Sequence, residues 1–223
     1  MKTNIQAVIF DVDGTLVDSV HQHAQAWQDA FDRFGKCLDF ETVRNQIGKG
    51  GDQILPTFLS KSEIQSFGDE LKEYRGKHFK EVYLHKIKPF AKVRDLFEHI
   101  IDTGKRTAVG SSAHSDELDH YLELCGVADL VDVKTCADDA DRSKPHPDIF
   151  EAALSKLGET PSRTMVVGDS PYDAEAALKI NLKAIGFLSG GFDREWLEKS
   201  GFCAIFANPS DLLQRYSESP LAD

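Results

Sequence analysis

The sequence has no CxxC pair, and its four cysteines, Cys37, Cys125, Cys136 and Cys203, stand far apart without the histidine spacing that zinc sites use. They read as reduced thiols, which excludes a disulfide framework and a structural zinc centre. A basic excess is missing too: 37 acidic residues against 26 basic ones leave a formal net charge of −11. Such a surface repels nucleic acid and anionic membranes, so neither is an expected partner. No apolar run is long enough to span a bilayer. MKTNIQAVIFDVDG meets a charged turn after only a short apolar segment, unlike a signal peptide, so the expected location is cytoplasmic. Repeats and low-complexity segments are lacking. What remains, 223 residues with 41% hydrophobic and 28% charged side chains, is an ordinary globular composition. It suits one domain, or a domain carrying a smaller insertion.

The short run Ala7-Val8-Ile9-Phe10 is rich in branched residues and stops at Asp11 and Gly14, which predicts a buried strand. Similar runs recur at Arg106 to Gly110, Leu130 to Val133, Thr164 to Val167 and Ala184 to Phe187, separated by stretches of helical period. Val93, Leu96, Phe97, Ile100 and Ile101 share one helical face before Gly104, and Ile149, Phe150, Ala153, Leu154 and Leu157 share one before Gly158. The alternation predicts an α/β fold. Between Ser19 and Lys88 the strand runs vanish, leaving helical segments broken at Gly35, at Gly48 to Gly51 and around Gly68. The expected division is a core of residues 1–18 and 89–223 with a helical insertion at 19–88. Ser217 to Asp223 is polar and expected to fray.

Chemically suggestive clusters follow the strands, where open parallel sheets bind ligands. Asp11 and Asp13 follow the first strand, either as turn carboxylates capping amides or as a charged pair that calls for a cation. Asp169 and Asp173 add carboxylates after Val167, or else Ser170, Pro171 and Asp173 simply open a helix. Ser111 and Ser112 bind an anion or begin the next helix; Lys144 joins the site or is a solvated loop lysine. Their joint occurrence at the ends of one sheet favours a shared site.

These motifs, DVDGTLVDS at Asp11 to Ser19, Ser111, the lysine of SKPHPD at Lys144 and GDSPYD at Gly168 to Asp173, resemble the haloacid dehalogenase superfamily. The likeness is to its phosphoglycolate phosphatase and β-phosphoglucomutase branch, which carries a helical cap after the first strand. The resemblance implies a Rossmann-like core, a mainly parallel sheet flanked by helices, with an inserted helical-bundle cap domain. Dehalogenases of this kind lack the second aspartate and phosphonatases carry a small residue there, so Asp13 implies phosphoryl transfer.

By that resemblance Asp11 attacks phosphorus and forms an aspartyl-phosphate, and Asp13 serves as general acid and base, starting protonated. Thr15 would orient Asp13, and Gly14 would let the backbone turn close to the phosphate. Ser111 and Lys144, with Ser112 beside them, would bind the phosphoryl oxygens. Mg²⁺ is the implied cofactor, held by Asp11, the backbone carbonyl of Asp13 and Asp169, with Asp173 holding a metal-bound water.

The insertion says less about its substrate. The loop Gly48-Lys49-Gly50-Gly51 follows no strand and lacks the GK[ST] ending, so it is either a substrate loop or an interhelical turn. His23 and Trp27 share a helical face with Val20. His23, Lys49, Arg75 and His114 are candidate substrate contacts, though packing also accounts for His23. The expected partner is a small phosphorylated metabolite, phosphoglycolate-like or a sugar phosphate, and the expected state a monomer or homodimer. A phosphomutase is the alternative, disfavoured by Gly50 and Gly51 where an arginine would grip a second phosphate. A non-catalytic binding protein on the same fold is the third reading.

Overall fold

The computed structural model describes residues 5–222. Strand β1 (Ala7–Phe10) is buried throughout, because it lies between two parallel neighbours with a core on each face. Its period of two is visible in the packing: Val8 and Phe10 enter one apolar cluster, Ala7 and Ile9 the other. After β1 come the two-residue strands β2 (Val17–Asp18) and β3 (Lys88–Pro89), paired antiparallel where the chain leaves the sheet region and returns. The remaining strands are β4 (Arg106–Gly110), β5 (Val133–Thr135), β6 (Thr164–Gly168), β7 (Lys183–Phe187) and β8 (Ala204–Phe206). The six-stranded sheet runs β5-β4-β1-β6-β7-β8, parallel at every pairing. Phe10 lies level with Val109 and Val167, so the loops after β4, β1 and β6 emerge side by side.

Between β2 and β3 lie α1 (Val20–Arg33), α2 (Phe40–Arg44), α3 (Gly51–Phe58), α4 (Lys61–Glu63) and α5 (Asp69–Val82). They enclose an apolar cluster of their own, built on Trp27, Phe31, Ile54, Leu55 and Leu71. The sheet is flanked by α6 (Val93–Asp102), α7 (Ser115–Leu124), α8 (Asp148–Leu157), α9 (Pro171–Lys179), α10 (Arg194–Ser200) and α11 (Pro209–Gln214). Apolar side chains of α6, α7 and α11 pack on one face and those of α8, α9 and α10 on the other. Among the described residues, no helix is long and apolar enough to cross a membrane.

Several expectations are corrected. Gly68 does not break its helix: α4 continues through a π-turn at Ile64–Gly68 into α5. Gly68 is buried, and a β-carbon there would stand 3.2 Å from Ile64 Cγ2 and 3.4 Å from Leu55 Cδ1, so close packing explains it. The strand expected at Leu130 to Val133 starts at Val133, because Leu130 O accepts from Thr107 Oγ1 and Asp132 Oδ2 accepts from the Thr107 N–H. Ile101 is exposed while its helix buries Val93, Leu96, Phe97 and Ile100. Nor does the tail fray up to Ala222. Leu221 is fully buried and its carbonyl accepts from the Tyr216 hydroxyl at 3.2 Å, which anchors the segment to the core. Asp223 lies outside the described residues.

Candidate active site

The β1–β6 ladder carries one residue beyond β1, the Asp11 N–H donating to Val167 O at 2.8 Å. This brings Asp11 to the end of the sheet beside Asp169, which follows β6. The chain then reverses: Leu16 N–H donates to Val12 O and Gly14 N–H to Val17 O, both at 2.8 Å. Gly14 has φ +77°, and a β-carbon there would lie 2.3 Å from Asp169 Oδ2 and 2.8 Å from Val20 Cγ2. Glycine is thus required both by the backbone and by the carboxylate pressed against it.

Thr15 Oγ1 reaches two carboxylates, at 3.0 Å from Asp169 Oδ1 and 3.3 Å from Asp11 Oδ2. This departs from the expectation that Thr15 orients Asp13, since the turn at Gly14 points the Asp13 side chain elsewhere. Asp13 Oδ1 accepts instead from Ser19 Oγ at 2.6 Å and lies 2.8 Å from His23 Nε2. The buried Lys144 ammonium donates to Asp11 Oδ1, and to Asp173 Oδ1 at 2.8 Å. Asp173 Oδ2 meanwhile accepts from the N–H and Oγ of Ser170 at 3.0 and 2.6 Å. Both readings of Asp173 therefore hold: it caps α9 and belongs to the charged cluster.

Oxygens of Asp11, Asp169 and Asp173 lie within 4.8 Å of one another, all buried. Burial lifts the Asp11 carboxyl to about 7, with Asp173 and Asp13 adding to the rise against the pull of Lys144. Burial, then Asp11 and Asp173, push Asp169 well above the usual carboxylate range. Lys144 goes the other way: burial opposes its charge, but Asp11 and Asp173 outweigh that and keep it protonated. Ionised, the three carboxylates would exceed the charge of Lys144 by two. A donor set made only of carboxylate oxygens with that excess fits a hard divalent cation.

Asp13 belongs to a second group with His23 and Glu117. Burial works to raise its pKa, but His23 and the Ser19 hydroxyl prevail and hold it low. Asp13 thus rests ionised here, not protonated as a waiting general acid would be. His23 stacks on Phe79, with centroids 4.1 Å apart and planes 12° apart, while Nδ1 meets the buried guanidinium of Arg75. Packing and site contact are both true of it.

A cavity of about 770 Å³ opens above these strand ends, its wall formed by Asp11, Asp13, Lys144, Ser112, the loop at residues 47–51 and one side of α5. Gly14, Thr15, Ser111, Asp169 and Asp173 stand behind that wall. Ser111 is fully buried and its Oγ accepts from the Ala113 N–H at 3.1 Å. Neither serine begins a helix, because α7 starts only at Ser115. Lys49 lines the cavity with its ammonium 2.6 Å from Gln46 Oε1 and 4.5 Å from the centre of the Tyr172 ring. Arg75 also lines it, packed over Trp27 and Phe79. His114 sits at the mouth, its side chain 74% exposed.

Sequence reasoning missed Glu117, a buried carboxylate on the cavity wall that accepts from Tyr121 OH at 3.2 Å and lies 3.8 Å from His23 Nε2. Its signal was the i,i+4 spacing to Tyr121 on the helix after Ser112. Ser189 and Gly190 were missed as well. Ser189 Oγ donates to Gly14 O at 2.7 Å, and a β-carbon on Gly190 would fall 1.7 Å from Asp169 Oδ2.

Several known proteins resemble this chain. A phosphorylated carbohydrates phosphatase from Thermotoga maritima is 25% identical over 215 residues, covering 96% of this chain and 99% of that protein. A phosphoglycolate phosphatase from Aquifex aeolicus is 27% identical over 180 residues, 80% of this chain and 83% of that one. The crystal structure of a hydrolase from Pseudomonas syringae superposes with a TM-score of 0.87 at 28% identity, over 96% of this chain and 98% of its own. The sequence model of the haloacid dehalogenase-like hydrolases matches residues 8–187, a span that holds Asp11, Lys144 and Asp169, and the chain belongs to that family.

Proposed function

We propose that the protein is a magnesium-dependent phosphatase that hydrolyses a small phosphorylated metabolite through an aspartyl-phosphate on Asp11. In this reading residues 1–18 and 89–223 form the catalytic core, and residues 19–88 form a cap over the leaving group. The observation that carries it is the placing of Asp11: its carboxylate faces the cavity with the Lys144 ammonium bonded to one oxygen.

Lys144 screens Asp11 from the anion it must approach and binds a phosphoryl oxygen, helped by the Ser112 side of the cavity and by Ser111 behind it. Asp11 then attacks phosphorus. The Asp–O–P bond forms as the bond to the leaving oxygen breaks, and Asp13 gives that oxygen its proton. Next, Asp13 takes a proton from water, whose oxygen displaces Asp11 and releases inorganic phosphate. Asp13 rests ionised on its own partners, but a phosphate dianion beside it disfavours its charge and favours the proton it must hold. Ser19 and His23 both meet its Oδ1 and fix the carboxyl. Asp11, Asp169 and the backbone carbonyl of Asp13 would hold Mg²⁺, with Asp173, already tied to Ser170 and Lys144, one step further out. Bound there, the ion supplies a Lewis acid for the phosphoryl oxygens and offsets the clustered negative charge.

Transfer to a second phosphorylated sugar has less support, because a β-carbon on Gly50 would fall 2.0 Å from Ser143 Oγ, leaving no room for a gripping arginine. The direct test is release of phosphate from p-nitrophenyl phosphate with added Mg²⁺. Asp11→Asn should abolish turnover and chelation should stop it reversibly. Near wild-type turnover by Asp11→Asn would remove the nucleophile, and activity that survives exhaustive chelation would remove the metal.

A further inference from the structure

Gly76 stands in the middle of α5, on the cavity wall. Nothing local calls for glycine there. It is not in the left-handed region, and a methyl group at this position would meet no atom within 4 Å. Glycine is among the poorest residues for a helix interior, where alanine is best. Its neighbours one turn away on the same side are Lys72 and Lys80, which also line the cavity. The gap thus opens the cavity wall between two long side chains.

The cavity is large for the smallest candidates. At about 770 Å³ it falls in the upper part of the range, about 300–1,000 Å³, of pockets that enclose drug-sized ligands. A two-carbon acid would leave most of it to water. The cations of α5 on this wall already have partners: Lys72 pairs with Asp69 at 2.8 Å, Lys80 with Asp116 at 2.6 Å, Lys77 stands 4.0 Å from Glu81, and the Arg75 guanidinium meets His23 Nδ1 and lies over Trp27 and Phe79. Glu73 and Glu81 on the same side would repel one. Mixed donors and acceptors suit hydroxyl groups, which both give and accept hydrogen bonds.

We infer that Gly76 is a specificity-determining residue: its missing side chain makes room on α5 for a neutral, hydroxyl-bearing leaving group of sugar size or larger. This rests on the phosphatase reading and names the substrate class of that site. The discriminating experiment compares wild type, Gly76→Ala and Gly76→Leu on acetyl phosphate and on a set of hexose and hexitol monophosphates with Mg²⁺. Melting curves confirm that each variant is folded. Gly76→Ala should raise the melting temperature by about 2–4 °C, as expected when a helix interior loses a glycine in a chain of this size. Gly76→Leu should keep kcat/KM for acetyl phosphate while losing about tenfold or more on the hexose and hexitol esters. Equal activity of Gly76→Leu and wild type on both classes overturns the inference and leaves the phosphatase reading intact. Failure of wild type to hydrolyse any of these esters overturns the phosphatase reading, and the inference with it.

Discussion

The hydroxyl of Thr15 lies 3.0 Å from Asp169 Oδ1, tying the turn after the first strand to the loop after the sixth. It also lies 3.3 Å from Asp11 Oδ2, so one neutral hydroxyl stands within hydrogen-bond reach of two buried carboxyl groups. Thr15→Val keeps the shape and removes the donor, which leaves a buried carboxyl oxygen short of a hydrogen-bond partner and should cost about 1–3 kcal/mol. Urea unfolding in chelator measures that cost. Thr15→Ser should recover most of it, whereas equal stability of Thr15→Val and wild type would show the hydroxyl to be idle.

Burial lifts the Asp11 carboxyl from 3.8 to about 7, which sets a direction for stability against pH in metal-free protein. Between these values the native state holds a proton that the unfolded chain has released, so stability falls as pH rises. The contribution is intact below about pH 4 and gone above about pH 7. From pH 5 to 7 this amounts to about 2 kcal/mol in chelator. Asp11→Asn cannot titrate and should lessen the slope over the same window, Asp169 keeping a contribution of the same sign. Saturating Mg²⁺ should flatten it in wild type, because a bound cation favours the ionised carboxylate in the native state. A slope unchanged in Asp11→Asn would place its origin elsewhere.

Tyr172 OH donates to Asn45 O at 2.6 Å, joining the start of α9 to the end of α2. The ring also faces Lys49 Nζ and packs edge-on against Phe192. Tyr172→Phe retains both ring contacts and should cost about 1 kcal/mol for the lost bond. Since the freed segment leads into the loop that walls the cavity, KM should rise while kcat holds, because Asp11 and Lys144 lie on other loops. A drop in kcat alone, seen in steady-state kinetics, would contradict this.

The readable part of the molecule was the part with two-sided burial or turn-bound charge. Ala7 to Phe10 shows as a strand because both faces are buried, so every residue is apolar. Asp11, Lys144 and Asp169 stand out because charge beside buried strands is costly unless it is used. Glu117 did not stand out, since a glutamate in the first turn of a helix is ordinarily solvated and favoured there by the dipole. Gly68 misled for a related reason: weak helix propensity suggested a break, and packing against Ile64 and Leu55 overrode it. Ala204 to Phe206 is too short to show a period, and only its pairing to β7 makes it a strand.

Leu221 offers the sharpest contrast between sequence and fold. Its surroundings in the chain are polar, yet it is fully buried in the cluster that includes Tyr216, Leu212 and Ile100. The Tyr216 hydroxyl that holds its carbonyl also lies 3.2 Å from Thr103 Oγ1, so the tail is pinned to the end of α6. Leu221→Ala removes buried methyl groups close to the surface, where the gap can partly collapse, and should cost about 2–3 kcal/mol. The melting temperature should fall by about 4–12 °C for a chain of this size. Turnover at 25 °C should not change, because the tail supplies no side chain to the cavity wall. A frayed tail would give neither a melting shift nor a change in turnover, so calorimetry on this one variant separates a docked C-terminus from a loose one.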